Sequence, residues 1–210
     1  MGRVLIGLLP VAKRLFDILG SAVALLLLAP LLLLVAVAVR ISSPGPVLFR
    51  QVRVGQHGVP FRIHKFRTMR VDAAARGPEV TVAQDGRITQ VGRFLRHFRI
   101  DEMPQFLDVL RGAMSLVGPR PEVPRFVAHY PAAMAARVLA VRPGITDPAS
   151  LAHIDEAALL AGAVDPERAY IERILPAKLA LQADYAARAT LGTDLAVLGH
   201  TLRVLLSRRP

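Results

Sequence analysis

The pattern of apolar and polar positions divides the chain near residue 40. Residues 18–39 carry no charged side chain and consist mainly of Leu, Val and Ala. A helix of this length can cross a hydrocarbon core of about 30 Å. From residue 41 onward, apolar and charged positions mix in short segments. The pattern therefore predicts a membrane-embedded helix (1–40) followed by one compact domain (41–210) that lies on the membrane.

The apolar segment contains Pro30 near its middle and has basic residues on both flanks. A signal peptide is disfavoured, because its apolar core has about 7–15 residues. Proline favours a kink, and basic flanks favour the cytoplasmic side. A re-entrant helix bent at Pro30 satisfies both flanks, whereas an ordinary spanning helix satisfies one. From these properties alone the two topologies stay open alternatives.

The domain reads as an α+β, mostly helical fold with short strands. Residues 47–49 and 61–63 predict strands around a turn at 55–58, and the apolar spacing over 91–98 predicts a helix. Pro104 is placed to open another helix that Gly112 closes. Residues 72–86 predict a surface loop, and the chain from 157 onward predicts helices. The last of these, 195–206, is amphipathic and suits either the membrane interface or the core.

The charge balance narrows the class of partner. Lys and Arg number 27 against 16 Asp and Glu, a net charge of +11. A basic chain seeks a polyanion, but aromatic residues make up only 5% and no nucleic-acid recognition motif is present. Anionic membrane lipid and phosphorylated substrates therefore fit better than nucleic acid. The absence of Cys excludes disulfides, thiolate catalysis and Cys-based zinc sites.

The adjacent pair Asp101 and Glu102 follows Arg96 and Arg99 and precedes a predicted helix start. One carboxylate could act as a nucleophile while the other holds a divalent cation. The alternative is that the two carboxylates only complement a helix dipole. From these two residues alone, this alternative is favoured.

Three further basic segments are candidates for phosphate binding. Arg120 lies between Pro119 and Pro121, which would hold a planar guanidinium rigidly. Lys65 and Arg67 would share one face of a strand. Arg142 precedes a Pro-Gly turn. Each of these residues could equally be a solvated surface charge. No HExxH, GxSxG, Walker A or GxGxxG motif occurs.

Taken together and in order, these segments resemble the bacterial sugar transferase family, the monotopic phosphoglycosyl transferases. The matching stretches are KRLFD (13–17), SPGPVLFRQVRVGQHGVPF (43–61), KFRTM (65–69), DGRITQVGRFLR (85–96), DEMPQFLDVLRGAMSLVGPRPE (101–122), RPGIT (142–146) and ILPAKL (174–179), with Tyr185 and Asp194 beyond them. Each piece alone is weak, but the set covers nearly the whole chain.

The resemblance implies a reaction in which a UDP-sugar and polyprenyl phosphate give polyprenyl diphosphate sugar and UMP. It implies a re-entrant helix, Mg²⁺ and a location on the cytoplasmic face of the bacterial inner membrane. Asp101 would be the nucleophile that carries the phosphosugar, and Glu102, with Asp101, would hold Mg²⁺. The implied substrate-binding residues are Lys65, Arg67, Arg96, Arg120, Pro121, Arg142 and Asp194. A catalytically inactive scaffold of the same fold is the alternative, and a homodimer is left open.

The chain departs from the family pattern at three positions. Ala29 stands where Ser often precedes the helix proline, which weakens the argument for a bend. Arg99 adds a positive charge near the dyad. Asp147 follows RPGIT where Gly is usual, which puts a nucleotide-binding role of that loop in doubt.

Overall fold

The computed structural model describes residues 2–76, 85–153, 159–160 and 162–207. A single long helix, α1 (Gly2–Ser42), opens the chain and runs without a break through Pro30. Its segment Val11–Ser42 is the one helix in the described part of the chain that is long and apolar enough to cross a membrane. The expected long apolar helix is therefore confirmed, and it ends two residues beyond the predicted boundary at 40.

One stripe of α1 is covered by the domain and the opposite stripe is not. The covered stripe includes Asp17, Ser21, Val35 and Val39, all less than 10% exposed. The uncovered stripe consists of large apolar side chains: Leu15, Leu19, Val23, Leu26, Leu27, Leu33, Leu34, Val37 and Ile41. A contiguous apolar surface of this size calls for a lipid or protein environment.

Both halves of α1 dock on the same domain. In the first half, Asp17 Oδ1 accepts hydrogen bonds from the Ser115 hydroxyl and the Leu116 amide, each at 3.0 Å. In the second half, Val35 and Val39 form a core cluster with Phe66 and Leu95, joined at its edge by Ile100. The apolar middle of the helix therefore lies between two docked ends.

The strands β1 (Leu48–Val54) and β2 (Pro60–Phe66) form the antiparallel hairpin expected around residues 55–58. Leu48 pairs with Phe66 and Val54 with Pro60. His57 and Gly58 both have positive φ angles, 57° and 76°, which the tight connection requires. The hairpin places Lys65 near the end of β2, where the turn Ile100–Gln105 packs against the strand.

A second sheet consists of two three-residue parallel strands, β3 (Ser115–Val117) and β4 (Gly144–Thr146). Their backbones approach closely where Gly118 passes Gly144. A Cβ atom at Gly144 would lie 2.0 Å from the Gly118 nitrogen, so only glycine fits there. The sequence pattern did not predict these two strands, because the segments Ser-Leu-Val and Gly-Ile-Thr are too short to show an alternating pattern.

The remaining elements are short helices and tight turns. Helical turns of the 3₁₀ type cover Gln56–Gly58, Val71–Arg76 and Ile100–Gln105, and a π-type turn covers Tyr170–Ile174. The α-helices are α2 (Gln90–His97), α3 (Phe106–Leu110), α4 (Pro124–Val127), α5 (Ala132–Val138), α6 (Pro148–Ala152), α7 (Pro166–Ala169), α8 (Leu175–Arg188) and α9 (Leu191–Ser207).

The mostly helical α+β class and the helix over 91–98 are confirmed. The helix that Pro104 was expected to open starts at Phe106, because a 3₁₀ turn takes up Ile100–Gln105. Part of the loop predicted over 72–86 lies outside the described residues. The amphipathic helix α9 packs Val197 and Leu198 against the core and leaves Leu195, Leu202 and Leu206 exposed.

A buried ion pair pins the first half of α1. Lys13 contacts Asp194, which is 1% exposed, and the Tyr185 hydroxyl donates to the same carboxylate at 2.5 Å. We expect Asp194→Ala to destabilise the protein by about 3 kcal/mol, because it leaves the Lys13 charge unpaired and leaves the Val117 carbonyl as the acceptor that Lys13 and Tyr185 must share. The matched control is Asp184→Ala on the exposed face of α8, where the pair with Arg188 is solvated and little change is expected. Thermal unfolding in detergent compares the two, and equal melting temperatures would contradict the assignment.

Candidate active site

The dyad lies in the 3₁₀ turn Ile100–Gln105, between α2 and α3. Asp101 and Glu102 are 7% and 6% exposed. The turn is entered through Arg99, which has left-handed backbone angles (φ 57°, ψ 19°). Such a conformation is uncommon for a residue with a side chain and is found preferentially at functional sites. The turn places two buried carboxylates side by side, which is costly unless they are compensated.

Glu102 is compensated by three cations. Lys65 Nζ lies 2.9 Å from its Oε1, and Arg120 grips both carboxylate oxygens, with Nη1 at 3.0 Å from Oε2. Arg99 Nη1 lies 3.7 Å away. Burial opposes the charged form, but Arg120, Lys65 and Arg99 more than offset it and hold the pKa of Glu102 well below its usual range. Glu102 is therefore a fixed anion.

Asp101 has the opposite character. Within the described residues its buried Oδ1 has no hydrogen-bond partner. Burial, together with the charge of Glu102, raises the pKa of Asp101 to about 6, although Lys65, Arg96 and Arg99 act in the other direction. Two adjacent carboxylates with divided pKa values are typical of catalytic pairs that take different roles. Asp101 is the one whose oxygen is left available for chemistry.

The cations around the dyad come from separate elements. Lys65 is on β2, and burial lowers its pKa to about 8 despite the attraction of Glu102. Arg96 is on the last turn of α2, half-buried, with Nε donating to the Thr68 hydroxyl at 2.8 Å. Arg120 follows β3. The structure therefore brings Lys65, Arg96 and Arg120, three of the residues expected to bind substrate, to the dyad.

A small surface concavity lies beside Arg120. Its lining includes Val54, Gly55, Pro121 and Tyr130. Arg53, whose guanidinium donates to the Pro121 carbonyl at 3.1 Å, braces this loop. Pro121, predicted to contact substrate, therefore lines a concavity that shares Arg120 with the dyad but is not lined by Asp101 or Glu102.

Three other predicted substrate-binding residues are placed elsewhere. Arg67 donates to the carbonyls of Ser43 and Pro44, both at 2.6 Å, and is 6% exposed. Asp194 is engaged by Lys13 and Tyr185 behind β3. Arg142 is half-buried before β4, and no contact joins it to the dyad among the described residues. The geometry does not bring these three to Asp101.

Arg67 does not share a face with Lys65 because β2 ends before it. Lys65 and Arg67 would share a face only if β2 continued, but β2 ends at Phe66. The chain turns there, and the guanidinium of Arg67 caps the carboxyl end of α1 instead. Carbonyls at a helix end favour such a cation.

The family resemblance implies Mg²⁺, with Asp101 and Glu102 as its ligands. Among the described residues there is no group of three or more His, Asp or Glu side chains that could hold a metal ion. Mg²⁺ is, however, commonly held by one or two carboxylates together with substrate phosphates and water. The unpartnered Asp101 oxygen beside Glu102 fits that mode, in which the substrate supplies further ligands.

Two buried polar groups near the site were not predicted. Glu122 accepts from the Tyr170 hydroxyl at 2.5 Å and from Lys178 at 3.3 Å, linking the GPRPE loop to α8. Asp147, 0% exposed, accepts from the backbone nitrogen of Arg120 at 3.1 Å. The Asp147-Pro148 pair is a helix N-cap signal, which sequence reasoning could have used. Nothing local indicates that Glu122 and Lys178 meet.

Comparisons with known proteins agree with this geometry. The model of the bacterial sugar transferase family matches residues 9–208. A UDP-glucose:undecaprenyl-phosphate glucose-1-phosphate transferase of Caulobacter vibrioides is 52% identical over 139 residues, 64% of this chain and 51% of the relative. An Aeromonas hydrophila UDP-N-acetylgalactosamine-undecaprenyl-phosphate N-acetylgalactosaminephosphotransferase is 45% identical over 145 residues, 67% of this chain and 34% of the relative.

A third relative, the UDP-glucose:undecaprenyl-phosphate glucose-1-phosphate transferase of Escherichia coli strain K12, is 44% identical over 136 residues, 64% of this chain and 29% of the relative. The chain thus spans about half the length or less of these three relatives. Because the family model extends over almost the whole sequence and includes the dyad turn, both sheets and α1 from residue 9, the chain belongs to the bacterial sugar transferase family.

Proposed function

We propose that the protein transfers a phosphosugar from a UDP-sugar to polyprenyl phosphate, giving polyprenyl diphosphate sugar and UMP as the first step of glycan assembly. The observation that carries the proposal is the division of labour in the dyad. Asp101 has an available buried oxygen, and its neighbour Glu102 is locked by three cations. The names of the relatives, which act on UDP-sugars and undecaprenyl phosphate, support the substrate class.

In the proposed mechanism, a carboxylate oxygen of Asp101 attacks the β-phosphorus of the UDP-sugar. The bond from that phosphorus to the bridging oxygen breaks, and UMP leaves with the electron pair. A phosphate oxygen of polyprenyl phosphate then attacks the same phosphorus and releases the Asp101 carboxylate. Two displacements through one covalent intermediate replace a single difficult encounter of two anions.

The cations supply the electrostatic part of the mechanism. Phosphoryl transfer depends mainly on positioning and on stabilising the charge of the phosphoryl oxygens. Lys65 and Arg120 are held by Glu102 with further N–H donors available to a diphosphate. Arg96 faces Asp101 from α2. Mg²⁺ bound by Asp101 and Glu102 would neutralise the diphosphate further.

We further propose that α1 enters and leaves the membrane on one side, the cytoplasmic face of the bacterial inner membrane. Straight, its 41 residues extend about 60 Å, twice the hydrocarbon thickness. Both halves of α1 contact the same domain, which lies on one side of the membrane. If α1 crossed the membrane, one half would therefore lose its buried contacts with that domain. A bend at Pro30 would let the middle of α1 dip into one leaflet while anionic lipid meets the basic flanks.

The chain has no Cys, so single-cysteine labelling tests the topology. Val11→Cys and Val59→Cys, at positions 55% and 62% exposed, should both react with an impermeant maleimide from the cytoplasmic side. Leu27→Cys, in the apolar middle, should be protected. Reaction of the first two positions from opposite sides of the membrane would refute the re-entrant arrangement and leave the chemistry untouched.

The pH dependence of the first displacement follows from Asp101. Its raised pKa, about 6, means that the carboxyl is protonated and unreactive below that pH. We expect the single-turnover rate constant for UMP release to fall about tenfold per pH unit below pH 6 and to level off above pH 7. Single-turnover release without polyprenyl phosphate is the right measurement, because the lipid phosphate itself titrates near pH 6. A flat profile from pH 5 to 8 would contradict the assignment.

The function itself is tested with purified protein, Mg²⁺, polyprenyl phosphate and a panel of labelled UDP-sugars. UMP release with at least one sugar is expected, and Asp101→Ala should abolish it. No release with any sugar would favour an inactive scaffold of the same fold. Two of the relatives are named for UDP-glucose and UDP-N-acetylgalactosamine, so both nucleotide sugars belong in the panel.

A further inference from the structure

The backbone of the loop that carries Arg120 has one amide to offer. Pro119 and Pro121 have no N–H, so the Arg120 nitrogen is the only backbone donor of the three residues. It donates to Asp147 Oδ2 at 3.1 Å. The side chain of the same residue grips Glu102 with both terminal nitrogens. Asp147 therefore holds the backbone of the residue whose side chain grips Glu102, in a loop whose neighbouring residues Gly118 and Pro119 bond to Thr146 and Gly144.

Asp147 is itself rigidly held. It is 0% exposed, its Oδ1 accepts from the Ser150 amide at 2.6 Å at the start of α6, and its Oδ2 also accepts from Gln182 Nε2 at 2.8 Å. The strand before it is fixed by pairing with β3. One carboxylate thus joins α6, α8 and the Arg120 loop.

Capping a helix does not require a buried charge. Ser and Asn cap about as well as Asp, whereas an ionised carboxylate buried away from water is costly. In the described part of the chain, Asp147 bonds only to N–H groups of Arg120, Ser150 and Gln182, and no side-chain cation pairs with it. The second oxygen, Oδ2, is the acceptor that ties the Arg120 amide to Gln182 of α8. Burial disfavours the charged guanidinium of Arg120, but Glu102 and, less strongly, Asp147 raise its pKa.

We infer that Asp147 is a positioning residue of the transfer site, which acts by fixing the backbone of Arg120 so that its guanidinium meets both Glu102 and the substrate diphosphate. The inference rests on the proposed function for its effect on rate. It also explains why a carboxylate at this position, where the family usually has Gly, is compatible with an active site. Asp147 touches no reacting atom and works through Arg120.

The test compares two Asp-Pro helix caps in one chain. Asp165 caps α7, accepts from the Glu167 and Arg168 amides and precedes Pro166, but contacts nothing at the dyad. We expect Asp147→Asn and Asp147→Ser to lower kcat for UMP release about 10–100-fold, with KM changed less. Asp165→Asn and Asp165→Ser should stay near wild type. Ser keeps the cap on α6 but is too short to reach Arg120 or the buried Gln182, whereas Asn keeps the length of the side chain, so the folding of both variants is checked by thermal unfolding.

A double-mutant cycle separates positioning from general loss of structure. Arg120→Lys keeps the backbone amide but loses the fork. Adding Asp147→Ser to it should cost little more, whereas adding Asp165→Ser should give the product of the single effects. Wild-type kcat in Asp147→Ser, or losses that multiply in the Arg120→Lys background, would overturn the inference.

A second readout is independent of activity. Hydrogen–deuterium exchange of residues 118–122, where neither proline contributes an amide, should be faster in Asp147→Ser than in wild type and unchanged in Asp165→Ser. Unchanged exchange in Asp147→Ser would overturn the anchor even if the wild-type protein released no UMP. Absence of UMP release from wild type would instead refute the proposed function alone.

Discussion

Replacing Asp101 by Asn is expected to reduce UMP release by at least about 10³-fold while the protein stays folded. The amide has the same shape but is no nucleophile towards phosphorus. The variant should also be more stable at pH 7.5. Folding raises the pKa of Asp101 from 3.8 to about 6, so burying its ionised form costs stability on the order of 3 kcal/mol. That cost is absent below pH 4 and grows as pH rises through 6.

Loss of activity together with gained stability distinguishes a catalytic carboxylate from a structural one. Asp184→Asn, an exposed carboxylate paired with Arg188 on α8, is the matched control and should change neither quantity. An Asp101→Asn variant that unfolds more easily than wild type at pH 7.5, or that retains a tenth of wild-type turnover, would contradict the role of Asp101 as the nucleophile.

Glu102→Gln should have the second largest effect, with the opposite sign on stability. It leaves Lys65, Arg120 and Arg99 facing one another without their shared anion. Removing one partner of such a buried network costs about 3–5 kcal/mol, and misplacing the cations should lower kcat about 10²–10³-fold. Thermal unfolding and UMP release measure the two consequences.

The same variant has a distinctive pH signature. The charge of Glu102 helps to raise the pKa of Asp101, so its removal should move the acid limb of single-turnover UMP release to lower pH. Glu172→Gln, an exposed pair with Arg168, controls for loss of a carboxylate. An acid limb that stays in place, or moves to higher pH, would show that the two carboxylates do not interact as described.

The sequence predicts well what depends on short-range order. The β1–β2 hairpin follows from turn residues between apolar runs, and α2 follows from apolar spacing closed by a basic last turn. The dyad could be found as an acidic pair close to arginines. What the pair alone could not show is that Glu102 is held by Lys65, 37 positions away, and by Arg120, 18 positions away.

Long-range pairing explains the other differences. Lys13 and Asp17 were noticed as part of a basic flank and a motif, but Asp17 bonds to residues nearly a hundred positions away. Asp194 was expected to support either the nucleotide or the structure, and its contact with Lys13 is a structural one. A buried carboxylate looks the same in sequence whether it binds substrate or anchors a helix. Only the partner distinguishes the two, and the partner is set by the fold.

The most direct measurement of the central claim is mass spectrometry of the protein incubated with a UDP-sugar and Mg²⁺ without polyprenyl phosphate. We expect one added phosphosugar on the peptide that contains Asp101, one UMP released per protein, no adduct in Asp101→Asn, and loss of the adduct when polyprenyl phosphate is added. Release of UMP only when both substrates are present, with no covalent adduct at any time, would contradict that claim.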